Sequence, residues 1–316
     1  MSVYTTIERI DLDRFLEDYN LGQALEFEGI KNGITNTNYW LKTTTGHYVL
    51  TLYEVLTQTE LCYVLGLQRY LSENGVSVAT PEYNRKNKLL SEMNQRPAAI
   101  TKRITGNHSA EPSAQECRLI GRELARFHKV GQNYQPTLSN PRGLQWMKET
   151  LELLTPFLLK ADRYLIKEEL ETAHKLAWNQ LPRSPIHADC FHDNVLFDGG
   201  KLSGIIDFDY ACTDYSVYDL AITINDWCID TQRSICVDRA RALLNAYECE
   251  RPLVNIEKQV LSVFLRLAAL RFWLSRLYDK CFPMAGSLVF TKDPNEFRNL
   301  LCDLRDHPID FKFRAI

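Results

Sequence analysis

The 316-residue chain predicts an α+β fold in two lobes, strand-rich at the N-terminal end and helical through most of the remainder. Three features point to it. Strand patterning falls in the first third, between Leu25 and Tyr53. Helical periodicity sets in at Ser113 and returns nearly to the end. Between helical stretches lies one apolar hairpin, with Asp189 shortly before it and Asp207 directly after it. The expected division is an N-terminal lobe over 1–99, a hinge over 100–106 and a helical lobe over 107–316.

Residues 7–20 pattern as a short amphipathic helix stopped by Asn20-Leu-Gly22. Strands are expected at Leu25–Gly29, Asn38–Thr43 and His47–Tyr53, with Thr44-Thr-Gly46 turning the last pair. Between the first two strands, small and amide residues from Gly29 to Asn38 can bring backbone N–H groups close to phosphate oxygens. No Gly-x-x-x-x-Gly-Lys-Ser/Thr loop occurs. A helix over Glu60–Leu71 closes at Glu73-Asn74-Gly75, with Glu60 read as a solvated first-turn residue. The apolar run inside Arg96–Gly106 is read as the link between lobes, its backbone hydrogen-bonding a nucleotide base. Ser113-x-x-Glu116 is a capping box opening a helix with Cys117, Ile120, Leu124 and Phe127 on one face. Further helices are expected within 144–180 and over 218–228, 238–247, 256–278 and 294–304.

The hairpin carries the chemistry. Val195-Leu-Phe197 and Gly204-Ile-Ile206 flank Asp198-Gly199-Gly200-Lys201, the composition of a tight connection. Pairing those strands sets Asn194 opposite Asp207, an amide oxygen beside a carboxylate, with Asp189 one short loop earlier. Magnesium prefers oxygen ligands and shares them with nucleotide phosphates, so Asn194 and Asp207 are the expected metal ligands. Asp189 is the expected acceptor of the proton of an attacking hydroxyl. The Asp189-x-x-x-x-Asn194 spacing and the later Asp207-Phe208 match catalytic and metal positions of kinases, with Asp209 replacing the usual Gly. His187 belongs to the same catalytic loop, where it braces rather than moves protons.

A formal charge of −3 offers no basic field for nucleic acid or an anionic membrane. The apolar stretch 261–278 is interrupted by Arg266, Arg271 and Arg276, which argues against a membrane span. Nine cysteines are scattered singly and the first residues lack a signal-peptide pattern, so a reducing cytoplasm is expected. A monomer or small homo-oligomer is expected.

His187-Ala-Asp-Cys-Phe-His-Asp-Asn-Val-Leu-Phe197, followed by Ile206-Asp-Phe208, resembles the aminoglycoside-phosphotransferase type of small-molecule kinase, which shares the protein-kinase fold. Longer phrases are similar to its homoserine kinase branch: Tyr48-Val-Leu-Thr-Leu-Tyr-Glu54, Arg96-Pro-Ala-Ala99, Asn140-Pro-Arg-Gly-Leu-Gln-Trp146, Asp219-Leu-Ala-Ile-Thr-Ile-Asn-Asp-Trp-Cys228 and Leu270-Arg-Phe-Trp-Leu-Ser-Arg-Leu-Tyr-Asp279. The resemblance implies a two-lobed, protein-kinase-like fold that uses ATP and Mg2+. It implies Asp189 as base, Asn194 and Asp207 at the metal, and Gly33, Asn36, Asn38 and Tyr39 over the nucleotide. Asp219 would be a buried structural acid. The implied reaction moves the ATP γ-phosphate to the hydroxyl of L-homoserine, giving O-phosphohomoserine, the precursor of threonine.

One departure stands out. Thr51 occupies the strand position where kinases usually carry a phosphate-binding Lys, as it does in the homoserine kinase branch. That leaves open which cation neutralises the phosphates, magnesium alone being one answer. L-Homoserine carries an ammonium and a carboxylate, so an acidic or amide group and an Arg are expected around it. Asp209, Asn225 and Asp226 are candidates for the first, and Arg271 or Arg276 for the second. Arg266, Arg271 and Arg276 lie five apart and rotate to different helix faces, so ordinary surface ion pairs compete with that role. Two other readings remain open: a kinase for another small alcohol such as choline, methylthioribose or an aminoglycoside, and a non-catalytic nucleotide-binding regulator, suggested by Thr51.

Overall fold

The structure, a computed structural model, describes residues 5–30, 35–283 and 292–311. The chain divides into two compact units. One comprises residues up to Asn107 together with Leu196–Asp198 and Ser203–Asp209; the other comprises the rest.

In the first unit the described residues form α1 (Arg9–Glu17), β1 (Ala24–Gly29), β2 (Thr37–Thr43), β3 (His47–Leu52), α2 (Gln58–Glu73), β4 (Ser91–Met93) and β5 (Arg96–Lys102). The strands make one antiparallel sheet in the order β1-β2-β3-β5-β4. Alternation on β2 buries Thr37, Tyr39, Leu41 and Thr43. The same core takes in Leu50 and Leu52 of β3 and Leu12, Phe15 and Leu16 of α1. A second cluster joins Leu61 and Leu65 of α2 to Tyr53 and Ala99. The apolar run expected as a link is a paired strand, with Ala98, Ala99 and Ile100 fully buried between β3 and β4. Its partner β4 lay hidden in a polar stretch. Asn94 and Gln95 both adopt positive φ, 49° and 62°, and so close a two-residue turn that pairs Met93 with Arg96.

Along the chain the second unit begins with α3 (Ala114–Gly131), α4 (Leu144–Leu154) and α5 (Lys160–His174). Then come β6 (Arg183–Ile186), the hairpin strands β7 (Val195–Asp198) and β8 (Lys201–Ile205), and β9 (Cys212–Tyr215). Helices α6 (Ser216–Trp227), α7 (Val237–Glu250), α8 (Asn255–Cys281) and α9 (Asn295–Asp306) follow. β6 pairs antiparallel with β9, and α8 packs against α4, α5, α6 and α9. No helix among the described residues is long and apolar enough to cross a membrane.

The hairpin turn is tighter than expected. Gly199 and Gly200 adopt φ of 55° and 76°, a two-residue loop that starts β8 at Lys201. Asp207 therefore lies beyond β8, itself at a left-handed φ of 62°. The hairpin strands are stitched into the first unit. Ile205 N donates to Ser77 O at 2.9 Å and Ala79 N donates to Ile205 O at 3.0 Å. Phe197 and Asn107 exchange backbone bonds of 2.9 and 3.0 Å. Gly106, at φ 123°, lies so close that a Cβ there would strike the Phe197 carbonyl.

Candidate active site

Helix α6 holds the loop that follows β6. Asp219, in its first turn, accepts from His187 N and Ala188 N, both at 2.8 Å. Trp227 Nε1 donates to Cys190 O at 2.9 Å. Asp226 accepts from His192 N at 2.6 Å and lies 2.7 Å from His192 Nδ1. Three residues of one helix thus fix backbone at 187, 188, 190 and 192, while Ala188 takes a left-handed φ of 60°. His187 is fully buried in this brace.

Behind Asp219 runs a buried polar chain. His128 Nε2 lies 3.0 Å from Asp219, and His128 Nδ1 lies 2.7 Å from the Tyr247 hydroxyl. Arg251 donates to Tyr247 at 3.2 Å and to both oxygens of Glu257 at 3.0 and 3.3 Å. Burial opposes ionisation of Asp219, but His128 and the His187 N–H outweigh it and hold the carboxyl below its ordinary range. Burial pushes the His128 imidazole down, against the opposing pull of Asp219. A neutral His128 that donates through Nε2 to ionised Asp219 and accepts at Nδ1 from Tyr247 satisfies every link.

Asp189 projects from this fixed loop with its side chain 19% exposed. Burial pushes its carboxyl up to about 6, and the nearby Arg271 charge pulls the other way. Arg271 Nη1 stands 4.0 Å from Asp189 Oδ1, with its guanidinium 4.9 Å from the Tyr210 ring centroid and 3.8 Å from that of Phe272. Asn194 Nδ2 donates to Asp189 O at 2.9 Å and approaches Oδ2 at 3.4 Å. With its N–H groups so directed, the amide presents its Oδ1 without a donor among the described residues, the atom a hard cation would take.

The remaining site candidates fall as follows. In the first unit, Asn36 Nδ2 donates to Asp209 Oδ2 at 2.7 Å, and its Oδ1 accepts from Glu54 N at 3.3 Å. Thr51 donates to Asn38 Oδ1 at 2.7 Å across directly paired positions, so the residue in the usual Lys position orients an amide of the neighbouring strand. Tyr39 points into the core and donates to Thr5 O at 2.9 Å. Asp207 is exposed. Gly33 lies outside the described residues. In the second unit, Asn225 is 2% exposed and donates to Leu265 O at 2.7 Å, bracing α6 on α8. Arg266 pairs with Glu169 at 2.9 Å and Arg276 with Glu296 at 2.7 Å; only Arg271 of the three approaches Asp189. Sequence reasoning passed over His128, Tyr210 and Tyr247, because each acts through a partner more than fifty residues away.

Residues 26–253 match the model of the phosphotransferase enzyme family. The chain is 42% identical over 301 residues to a homoserine kinase of Methylobacillus flagellatus, covering 95% of this chain and 94% of that protein. It is equally identical over 304 residues to a homoserine kinase of Neisseria meningitidis serogroup B, covering 96% and 100%. Among solved structures it is similar to an amicoumacin kinase in complex with AMP-PNP, Ca2+ and Ami, with a TM-score of 0.72 at 18% identity over 97% and 96% of the chains. It is also similar to a spectinomycin phosphotransferase bound to ADP and spectinomycin, with a TM-score of 0.70 at 14% identity over 96% and 99%. These structures share the fold.

Proposed function

We propose, from the premise that the chain belongs to the homoserine kinases of the phosphotransferase enzyme family, that it moves the γ-phosphate of ATP to the side-chain hydroxyl of L-homoserine. The product, O-phospho-L-homoserine, feeds threonine biosynthesis, and the enzyme works in the cytoplasm. The observation carrying the mechanism is Asp189: a carboxylate on a loop fixed by α6, shifted up to about 6 and steadied by Asn194. Such a base is ionised at neutral pH yet basic enough to accept the acceptor hydroxyl proton as the O–P bond forms. Asn194 and Asp207 are the residues that would hold Mg2+, which supplies charge neutralisation for the phosphates.

Arg271, buried and stacked beside the base, receives the substrate carboxylate. Asp209, Asp226 and Asn225 are the candidates for the ammonium end. His192 is already held by Asp226, whose second oxygen carries no hydrogen bond among the described residues. Gly33, Asn36 and Asn38 are the residues that would cover the nucleotide, and Tyr39 anchors β2 in the core.

The test is coupled ADP release with magnesium–ATP, comparing L-homoserine with choline, methylthioribose, kanamycin and no acceptor. Turnover with homoserine alone upholds the proposal, and turnover with another acceptor overturns the substrate. ATP binding without any turnover would return Thr51, and the regulator reading, to the front.

A further inference from the structure

A cavity of about 330 Å³ lies between α4, α5, α6 and α8, and Asp189 is not among its walls. Its walls include the aromatic rings of Trp178, Tyr215 and Phe264, whose centroids lie 5.0 to 6.2 Å apart. Met147 and Leu267 extend the apolar lining.

Two polar groups on these walls bear on a ligand, a hydroxyl without a hydrogen-bond partner and a carboxylate without an ion-pair partner among the described residues. Tyr218 is 5% exposed and its buried hydroxyl has no hydrogen-bond partner, an uncommon state for a buried polar atom. Asp214 accepts from Asn140 Nδ2 at 2.7 Å and from Tyr215 N at 2.9 Å, so both oxygens are oriented. Among the described residues no cationic group comes within ion-pair distance of it. Burial pushes its carboxyl up, against the pull of Asn140, the Tyr215 N–H and the more distant Arg183 charge.

A carboxylate and a spare hydroxyl among aromatic faces match an organic cation, attracted by the ring quadrupoles as well as by the charge. We infer that this cavity is a binding site for a small organic ammonium with an apolar body, separate from the phosphoryl-transfer centre. The ammonium sits between Asp214 and the Tyr218 hydroxyl, and the apolar body lies along Phe264 and Leu267. The location ties the site to catalysis. Tyr218 immediately precedes Asp219, which holds the catalytic loop, and Leu267 lies one helical turn before Arg271.

The probe is benzylammonium, titrated calorimetrically into the full chain, with benzyl alcohol as its uncharged counterpart. Saturable binding of benzylammonium and at least tenfold weaker binding of benzyl alcohol are expected. Asp214→Asn should weaken the cation at least tenfold, and Tyr218→Phe several-fold. Leu267→Trp, which adds bulk to an apolar wall and leaves both polar groups in the sequence, should abolish binding in protein whose circular dichroism spectrum still matches that of the parent. Equal binding of the alcohol, undiminished binding in Leu267→Trp, no binding of the cation, or displacement by L-homoserine would each overturn the inference. These results are independent of the acceptor assay, so either conclusion can fall alone.

Discussion

At the scale of single residues, Asp189 and Arg271 set the pH response. Asp189 must be ionised to accept a proton, and its carboxyl is pushed up to about 6. The kcat/KM profile, which reports the free enzyme, should therefore rise about tenfold per pH unit below about 6 and level above it. Arg271 is the stronger of the two nearby positive charges, with Lys292, that lower this value. In Arg271→Met the acidic limb should move to higher pH, and an unmoved limb would mean that Asp189 is not the titrating base. Asp189→Asn should lower kcat by about 10²–10⁴ while leaving nucleotide affinity unchanged in equilibrium binding. Thr51 fits the same logic. Its hydroxyl is committed to Asn38, so it is a strand-pairing residue at a position where other kinases keep a cation.

At the scale of elements, capping boxes and the α6 clamp do the positioning. Thr57 and Glu60 form a complete capping box at the start of α2, giving Glu60 a structural role. Glu60→Ala should lower stability by about 1 kcal/mol in urea unfolding and leave kcat untouched. A large loss of kcat would instead assign Glu60 to the nucleotide. Asp219→Ala removes the acceptor of two loop N–H groups and the partner of buried His128, so a loss of about 3–5 kcal/mol is expected from the same measurement. Much of this architecture was legible in the sequence. The paired glycines at 199–200 announced the hairpin, and 3.6-residue periodicity announced α3 and α8. The Ser113–Glu116 box is present as read, whereas the equivalent Thr57-x-x-Glu60 pattern was readable but passed over. What stayed hidden lacks a local signal. β6 and β9 are four-residue strands joined across about thirty residues, one of them containing Pro185. The chain from Asp219 through His128, Tyr247 and Arg251 to Glu257 is assembled by tertiary packing alone.

At the scale of the whole molecule, metal and nucleotide should act as folding ligands. Magnesium–ADP at one hundred times its dissociation constant should add about 2.7 kcal/mol of stability, read as a rise in melting temperature. Chelation by EDTA should remove most of that rise. Asp207→Asn should remove it too, measured against the variant's own unliganded melting temperature; Asp207 is exposed and Asn tolerates its left-handed φ. A normal magnesium response in this variant would exclude Asp207 as a ligand. The hairpin strands have a further consequence, for the order in which the protein is made. Leu196–Asp198 and Ser203–Asp209 belong to the first unit, bonding at Ser77, Ala79 and Asn107. The unit that leaves the ribosome first therefore emerges with an unfinished edge. It must wait for residues 108–195, roughly 4–18 s of elongation, before the chain that completes it appears. A fragment ending at Asn107 would carry that open edge permanently, so the first unit can be neither translated nor excised as one continuous piece.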